Sequence, residues 1–244
     1  MVDASSIAWT KNDLPYNWDP YRAMPFVEVA QTIKRFLRGG LPIERQHLLV
    51  IFFHESGFAN VRQNQGKGPA VGFGQMEIFN KDKIPFFETL RYNAAILNPK
   101  VPANEKKNYS YLEKYVPLTY ESVLNDNEFA IRMHCAYFGW LFDEGIPKNA
   151  APGQKGIKSL RGLLTAQTGG GRNEVFIDHF INSGSQLKDA MNSGDRQKVI
   201  DALNSVRKYF KLNSSAVEDQ TLSLTRYRKY WDFILPEEDL RKGV

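Results

Sequence analysis

Residues 48–58 read LLVIFFHESGF, and this stretch decides the architecture. Six apolar residues, Leu48 to Phe53, run without a polar break, so no face of the segment is left for water. Pro42 precedes it, and proline is tolerated at a helix start because its missing N–H costs nothing there. Gly57 follows it as a natural left-handed helix cap. A helix that is apolar nearly all round belongs at the centre of a fold. The expectation is therefore a buried central helix, opened by Pro42 and stopped at Gly57, with Glu55 on its last turn. The run is far too short to cross a bilayer.

Helical rhythm extends on both sides. Phe26, Val29, Ala30, Ile33 and Leu37 recur at i, i+3, i+4 and i+7 before Gly39 and Gly40. Ahead of them, residues 1–25 carry Pro15, Pro20 and Pro25 among Trp9, Tyr16 and Trp18, which predicts an extended arm packing its rings on the body. Residues 57–79, with Gly57, Gly66, Gly68, Pro69, Gly72 and Gly74, read as a loop or small hairpin. A helix over about 83–97 and a polar, tyrosine-rich connection over 99–118 come next. A strong helix starts near an Asp126/Asn127 cap, with Phe129, Met133, Tyr137, Trp140 and Leu141 on its buried side, and ends at Gly145. Further helices are expected at about 157–167, 173–182, 195–210 (capped by Asp195) and 219–234, with a short one started by Ser185. Nothing shows sustained period-two alternation. The fold class is all-α with a small irregular or β-hairpin element at 57–79. The organisation is an arm, 1–25, and one helical domain, 26–244.

Composition narrows the function. Hydrophobic residues are 42% and aromatics 13% of 244, enough for a packed core rather than disorder. The single cysteine, Cys135, excludes an intrachain disulfide. His134 beside it is not read as a metal partner, because adjacent helical side chains diverge by about 100°; Cys135 is expected to be a small buried thiol. No metal or cofactor is expected. Lys and Arg number 32 against 27 acids, a net +5 that is scattered rather than clustered, which suits an acidic cell-wall polymer as well as a nucleic acid. A nucleic-acid function would rest on that charge alone and is not adopted. The N-terminus, MVDASSIAWTKNDLP, has no basic start and no apolar core of a Sec signal. The expectation is synthesis in the cytoplasm, no membrane insertion, and delivery by another route.

The chemistry centres on Glu55. Cleaving a glycosidic bond needs a carboxylic acid that still holds its proton at working pH. Burial and the negative end of a helix both favour the protonated form, and the position of Glu55 promises both. The bland alternative is a solvated helix end. The following segment argues against it: Gly72-Phe-Gly-Gln75 sets two glycines, which let backbone approach a ligand, beside an amide that can donate and accept. HExxH zinc chemistry is excluded because Phe58 stands where the second histidine would be. Gly169-Gly-Gly-Arg172 lacks a P-loop lysine and spacing, and reads as a turn.

Glu55-Ser-Gly-Phe58 followed by Gly72-Phe-Gly-Gln-Met76 resembles the signature of the lysozyme-like superfamily, closest to the soluble lytic transglycosylase and goose-type lysozyme group. The resemblance covers about 48–79, with a weaker echo over 128–171. It implies a mostly helical lysozyme-like fold with a cleft; the helical extension expected from about 185 is atypical of the family. It implies cleavage of the β-1,4 bond of peptidoglycan or a related aminoglycan, with Glu55 as acid/base, Ser56 steadying it, and Phe73, Gly74 and Gln75 near the sugar. Ala166-Gln-Thr-Gly-Gly-Gly171 stands where the family has an AYNAG-like turn, with Gln167 and Thr168 in place of Tyr and Asn; Tyr137 is a candidate substitute ring. Glu77 lies two beyond Gln75, and in an extended segment would share its face. Inward, it offers a second carboxylate; outward, it is a surface group and Glu55 acts alone. A chitin or chitosan hydrolase is a close variant. The alternative from another class is a non-catalytic glycan-binding or structural component of a phage virion or secretion-system assembly.

Overall fold

A computed structural model of the chain describes residues 4–10, 13–14, 18–77, 119–147, 149–168, 174–213 and 221–240. The helix expected at 83–97, the connection at 99–118 and the glycines at 169–171 lie outside them. The described chain is mostly helical with one two-stranded antiparallel sheet.

The central element is α2 (Arg45–Ser56), where Leu48 to Phe53 are all 0–2% exposed. Val50, Ile51, Phe52 and Phe53 each give up less than about 0.7 kcal/mol of helix propensity. Burying each such side chain contributes roughly 1.5–3 kcal/mol, so tertiary burial decides the conformation. The helix begins later than expected: Pro42 sits in the preceding bend and Glu44 is the N-cap. The Glu44 N–H donates to His47 Nδ1 at 3.1 Å, so that nitrogen is the unprotonated one.

Around α2 pack α1 (Phe26–Phe36), α7 (Glu174–Ser193) and α8 (Arg196–Asn213). The chain between runs through α3 (Gln63–Gly66), β1 (Ala70–Val71), β2 (Met76–Glu77), α4 (Tyr120–Leu124), α5 (Asn127–Glu144) and α6 (Leu160–Gln167). Two short helices follow α8, α9 (Arg228–Ile234) and α10 (Glu237–Leu240). Helix α5 starts where expected, and of the two candidate caps it is Asp126 that serves, Phe129 N–H donating to its Oδ1 at 2.8 Å; the helix packs on α1. Arg38 grips Asp143 through two nitrogens, at 2.5 and 2.9 Å, tying the chain after α1 to the end of α5.

Helix α7 differs from the expected pair of helices at 173–182 and from Ser185. Gly184 lies inside it, buried against His47, where a Cβ would meet the ring at 2.5 Å. That glycine is a close contact between helices, and the helix runs through it and through Ser185 without a break. The last expected helix, 219–234, shortens to Arg228–Ile234 after turns at 224–227. The described residues of the arm include two turns of 3-10 helix, Ala4–Ser6 and Pro20–Arg22, and a bridge between Ala23 and Ala59.

Candidate active site around Glu55

Glu55 is half-buried on the last turn of α2. Its helix stops because Gly57 turns left-handed at φ 61°, its N–H accepted by the Phe52 and Phe53 carbonyls. Phe58 follows at φ 64° although it carries a full side chain and is completely buried. A bulky residue in this region costs about 1–3 kcal/mol and persists only where its surroundings over-determine it. His54 lies between α2 and α7, its ring 5.8 and 5.5 Å from those of Phe176 and Phe180. The Ser56 hydroxyl donates to the Phe52 carbonyl at 3.0 Å within its own helix.

The Gly72–Gln75 segment is a tight turn joining β1 to β2. Gly72 takes φ 86° and Gln75 φ 49°. The Gln75 amide nitrogen donates to both the Val61 and Gly72 carbonyls, at 2.9 and 2.7 Å, so it clasps the turn. Because Gln75 is in a turn, it does not alternate with Glu77 as in an extended strand. Met76 faces the core and Glu77 is exposed, paired across the sheet with Ala70. Phe73 is 1% exposed and tilts against Phe52 at 5.8 Å, a core position rather than a sugar platform. Phe52 and Glu55 are neighbours at i, i+3, so the turn packs on the side of α2 that leads to Glu55.

Gly74 brings a third element in. A Cβ there would fall 2.1 Å from His134 Cε1 on α5, so the backbone lies directly on the imidazole. Gln167, ending α6, donates its amide to the Gly74 carbonyl at 3.3 Å. Turn, α5 and α6 therefore meet at one point, 93 residues apart in sequence at the Gln167 bond. The burial of His134 went unread in the sequence, although Phe138 and Leu141 continue its face at i+4 and i+7; its contact with Gly74 leaves no sequence signal. Thr168 closes α6, its hydroxyl on the Thr165 carbonyl at 3.1 Å. Tyr137 is half-buried, stacked on Trp140 with centroids 6.3 Å apart, and burial pushes its phenol up to about 12.

His134 is 1% exposed, and burial holds its imidazole down at about 3, with Gln167 offsetting part of this. The consequence for stability has a definite sign. An ordinary histidine protonates near 6.5 in the unfolded chain, while the native ring stays neutral to about 3. Stability contributed by this group is complete above pH 6.5 and is lost as pH falls toward 3, by up to about 1.4 kcal/mol per pH unit. Burial lowers His47 as well, in the same direction. Urea midpoints at pH 7.5 and 5.0 should show His134→Gln losing about 2 kcal/mol less than wild type over that interval. Equal losses in the two proteins would remove His134 as the cause.

Cys135 is buried and free, its thiol pushed up by desolvation. Among the described residues no group of His, Cys, Asp and Glu is arranged to hold a metal ion, and no helix is long and apolar enough to cross a membrane. Comparison with protein-family models, curated proteins and solved structures returns no match.

Proposed function

We propose that the protein cleaves the β-1,4 glycosidic bond of peptidoglycan or a closely related aminoglycan, with Glu55 as general acid/base. The observation that carries this reading is the half-buried Glu55 at the end of a helix whose six preceding core residues are 0–2% exposed. That helix end is fixed by consecutive left-handed residues, and Phe52, one turn earlier, packs on Phe73 of a glycine-rich turn. In the reaction the Glu55 carboxyl gives its proton to the leaving glycosidic oxygen as the C1–O bond breaks. The resulting carboxylate then takes a proton either from the sugar's own hydroxyl, closing an anhydro ring, or from an attacking water. The exposed position of Glu77 favours the first route, in which one carboxylate suffices. Action at the cell wall, after delivery without a Sec signal or as part of a virion, belongs to the same proposal.

A second reading has its own support. Ser56, Gln75 and Gln167 each have a backbone partner within the protein, and Phe73 is in the core. Most groups assigned to the sugar by resemblance are thus engaged internally, as in a non-catalytic glycan-binding or structural component. Clearing of purified sacculi separates the two. The enzymatic reading requires that wild type clear them and Glu55→Gln not; equal clearing by both proteins sinks it.

A further inference from the structure

The Glu55 chemistry leaves two segments unexplained, the N-terminal arm and the C-terminal helices, and they meet at one backbone group. Trp18 Nε1 donates to the Gly57 carbonyl at 2.9 Å, and the Tyr230 hydroxyl donates to the same oxygen at 3.1 Å. Both bonds are buried, and they span 39 and 173 residues of chain. A carbonyl oxygen has two lone pairs, and here each has its own donor. Gly57 fits between the two rings closely: a Cβ would lie 3.2 Å from the Tyr230 oxygen and 3.3 Å from Trp18 Cδ1.

The donors are themselves held. Trp18 meets Tyr230 edge-on at 4.8 Å and Trp9 at 5.3 Å, and Phe233 of α9 lies 6.0 and 6.2 Å from Trp9 and Trp18. Lys229 Nζ bonds the Ala8 carbonyl at 3.0 Å and Asp13 at 2.9 Å, tying arm to α9 a second time. Beyond the corner, Met24 N–H donates to the Phe58 carbonyl at 2.9 Å and Asn60 N–H to the Arg22 carbonyl at 2.8 Å. Helix ends ordinarily open at little cost. This one carries two consecutive left-handed residues, one of them Phe58, and is gripped from both ends of the chain.

We propose that the arm and α9 form a brace that fixes the last turn of α2 and with it the direction of the Glu55 carboxyl. Trp18 and Tyr230 are then positioning residues that touch no substrate. The inference rests on Glu55 as acid/base, and adds a role for the segments on which no resemblance bears.

Trp18→Phe and Tyr230→Phe each keep a ring and remove the donor. Phe233→Leu is the control, disturbing the same aromatic cluster without touching the carbonyl. Amide hydrogen exchange at residues 54–58 is measured with kcat and KM on soluble glycan strands, all referred to global stability. Each donor variant is expected to speed local exchange about tenfold, the size of one net buried hydrogen bond. It should lower kcat by a similar factor with KM little changed, while Phe233→Leu shifts neither beyond its effect on global stability. The brace is overturned if exchange at 54–58 stays at the wild-type rate, or if kcat follows global stability alike in all three variants. A wild type that cleaves nothing overturns the acid/base reading instead, and exchange then decides the brace alone.

Discussion

Glu55→Gln is expected to release soluble fragments from purified sacculi on the order of 10³-fold more slowly than wild type, the range in which a positioned acid/base contributes. The amide keeps the size and shape of the side chain and loses only the transferable proton. Glu55 is half-buried rather than sealed in the core and the amide keeps a hydrogen-bonding group in its place, so the melting temperature should stay near that of wild type. Glu55→Asp is the finer probe. It keeps the acid but withdraws it by one methylene, and a displacement of about 1 Å costs roughly 10²-fold where geometry limits the reaction. A Glu55→Gln protein within about threefold of the wild-type rate would end the catalytic reading. Slow release by both Glu55 variants with unchanged glycan binding would tie the loss to chemistry rather than affinity.

The products carry the remaining mechanistic choice. Anhydro ends mean that Glu55 took the proton back from the sugar's own hydroxyl. Reducing ends mean that water was activated, which asks for a second carboxylate. Glu77 stands on the exposed face of β2, beyond a turn in which Gln75 is left-handed. That left-handed residue breaks the alternation by which Glu77 and Gln75 would have shared a face.

What the sequence announced and what it hid follow from the range of the interactions involved. Local signals read well. The apolar run at 48–53, the Asp126/Asn127 cap signal and the glycines around 72–74 each act through near neighbours, and each led to the right element. The break expected between 182 and Ser185 is absent: Gly184 packs against the His47 ring of another helix, a contact that leaves no mark in the local sequence. Pro42 misled by three residues, because the Glu44 N–H bond to His47 fixes the start of α2 after the bend. Helix α4 went unforeseen, although Thr119 and Ser122 exchange cap hydrogen bonds at 3.1 Å. At the site, Glu55 was legible from its place at the end of a buried helix. Trp18 and Tyr230 were not, since a bond across 39 or 173 residues leaves no periodicity. Phe73 and Gln75 were visible as residues, but their engagement with Phe52 and with the Val61 carbonyl depends on how the turn folds back.

Gly74→Ala should be the most damaging single-methyl addition in this turn. Gly74 has no left-handed backbone requirement, unlike Gly72 at φ 86°, so the objection is purely steric. The added Cβ would sit 2.1 Å from His134 Cε1, 2.6 Å from Nδ1 and 2.9 Å from Nε2. The ring has little freedom to move aside, with the Phe52, Phe138 and Tyr137 rings 5.0, 5.5 and 6.3 Å from its own. Overpacking of this kind costs about 1–3 kcal/mol and sometimes more, and the upper end is expected because the obstacle is a fully enclosed ring. The turn would have to lift, loosening the Gln167 bond to the Gly74 carbonyl and the Phe73 contact with Phe52. A double-mutant cycle isolates the clash: His134→Ala opens the space that the new methyl needs. Gly74→Ala/His134→Ala should therefore be more stable than the sum of its parts by 1 kcal/mol or more, within the range of about 0.5–3 kcal/mol for residues in contact. Urea unfolding of the four proteins measures it. Additive losses, or a Gly74→Ala protein as stable as wild type, would mean that the turn does not rest on the imidazole in solution.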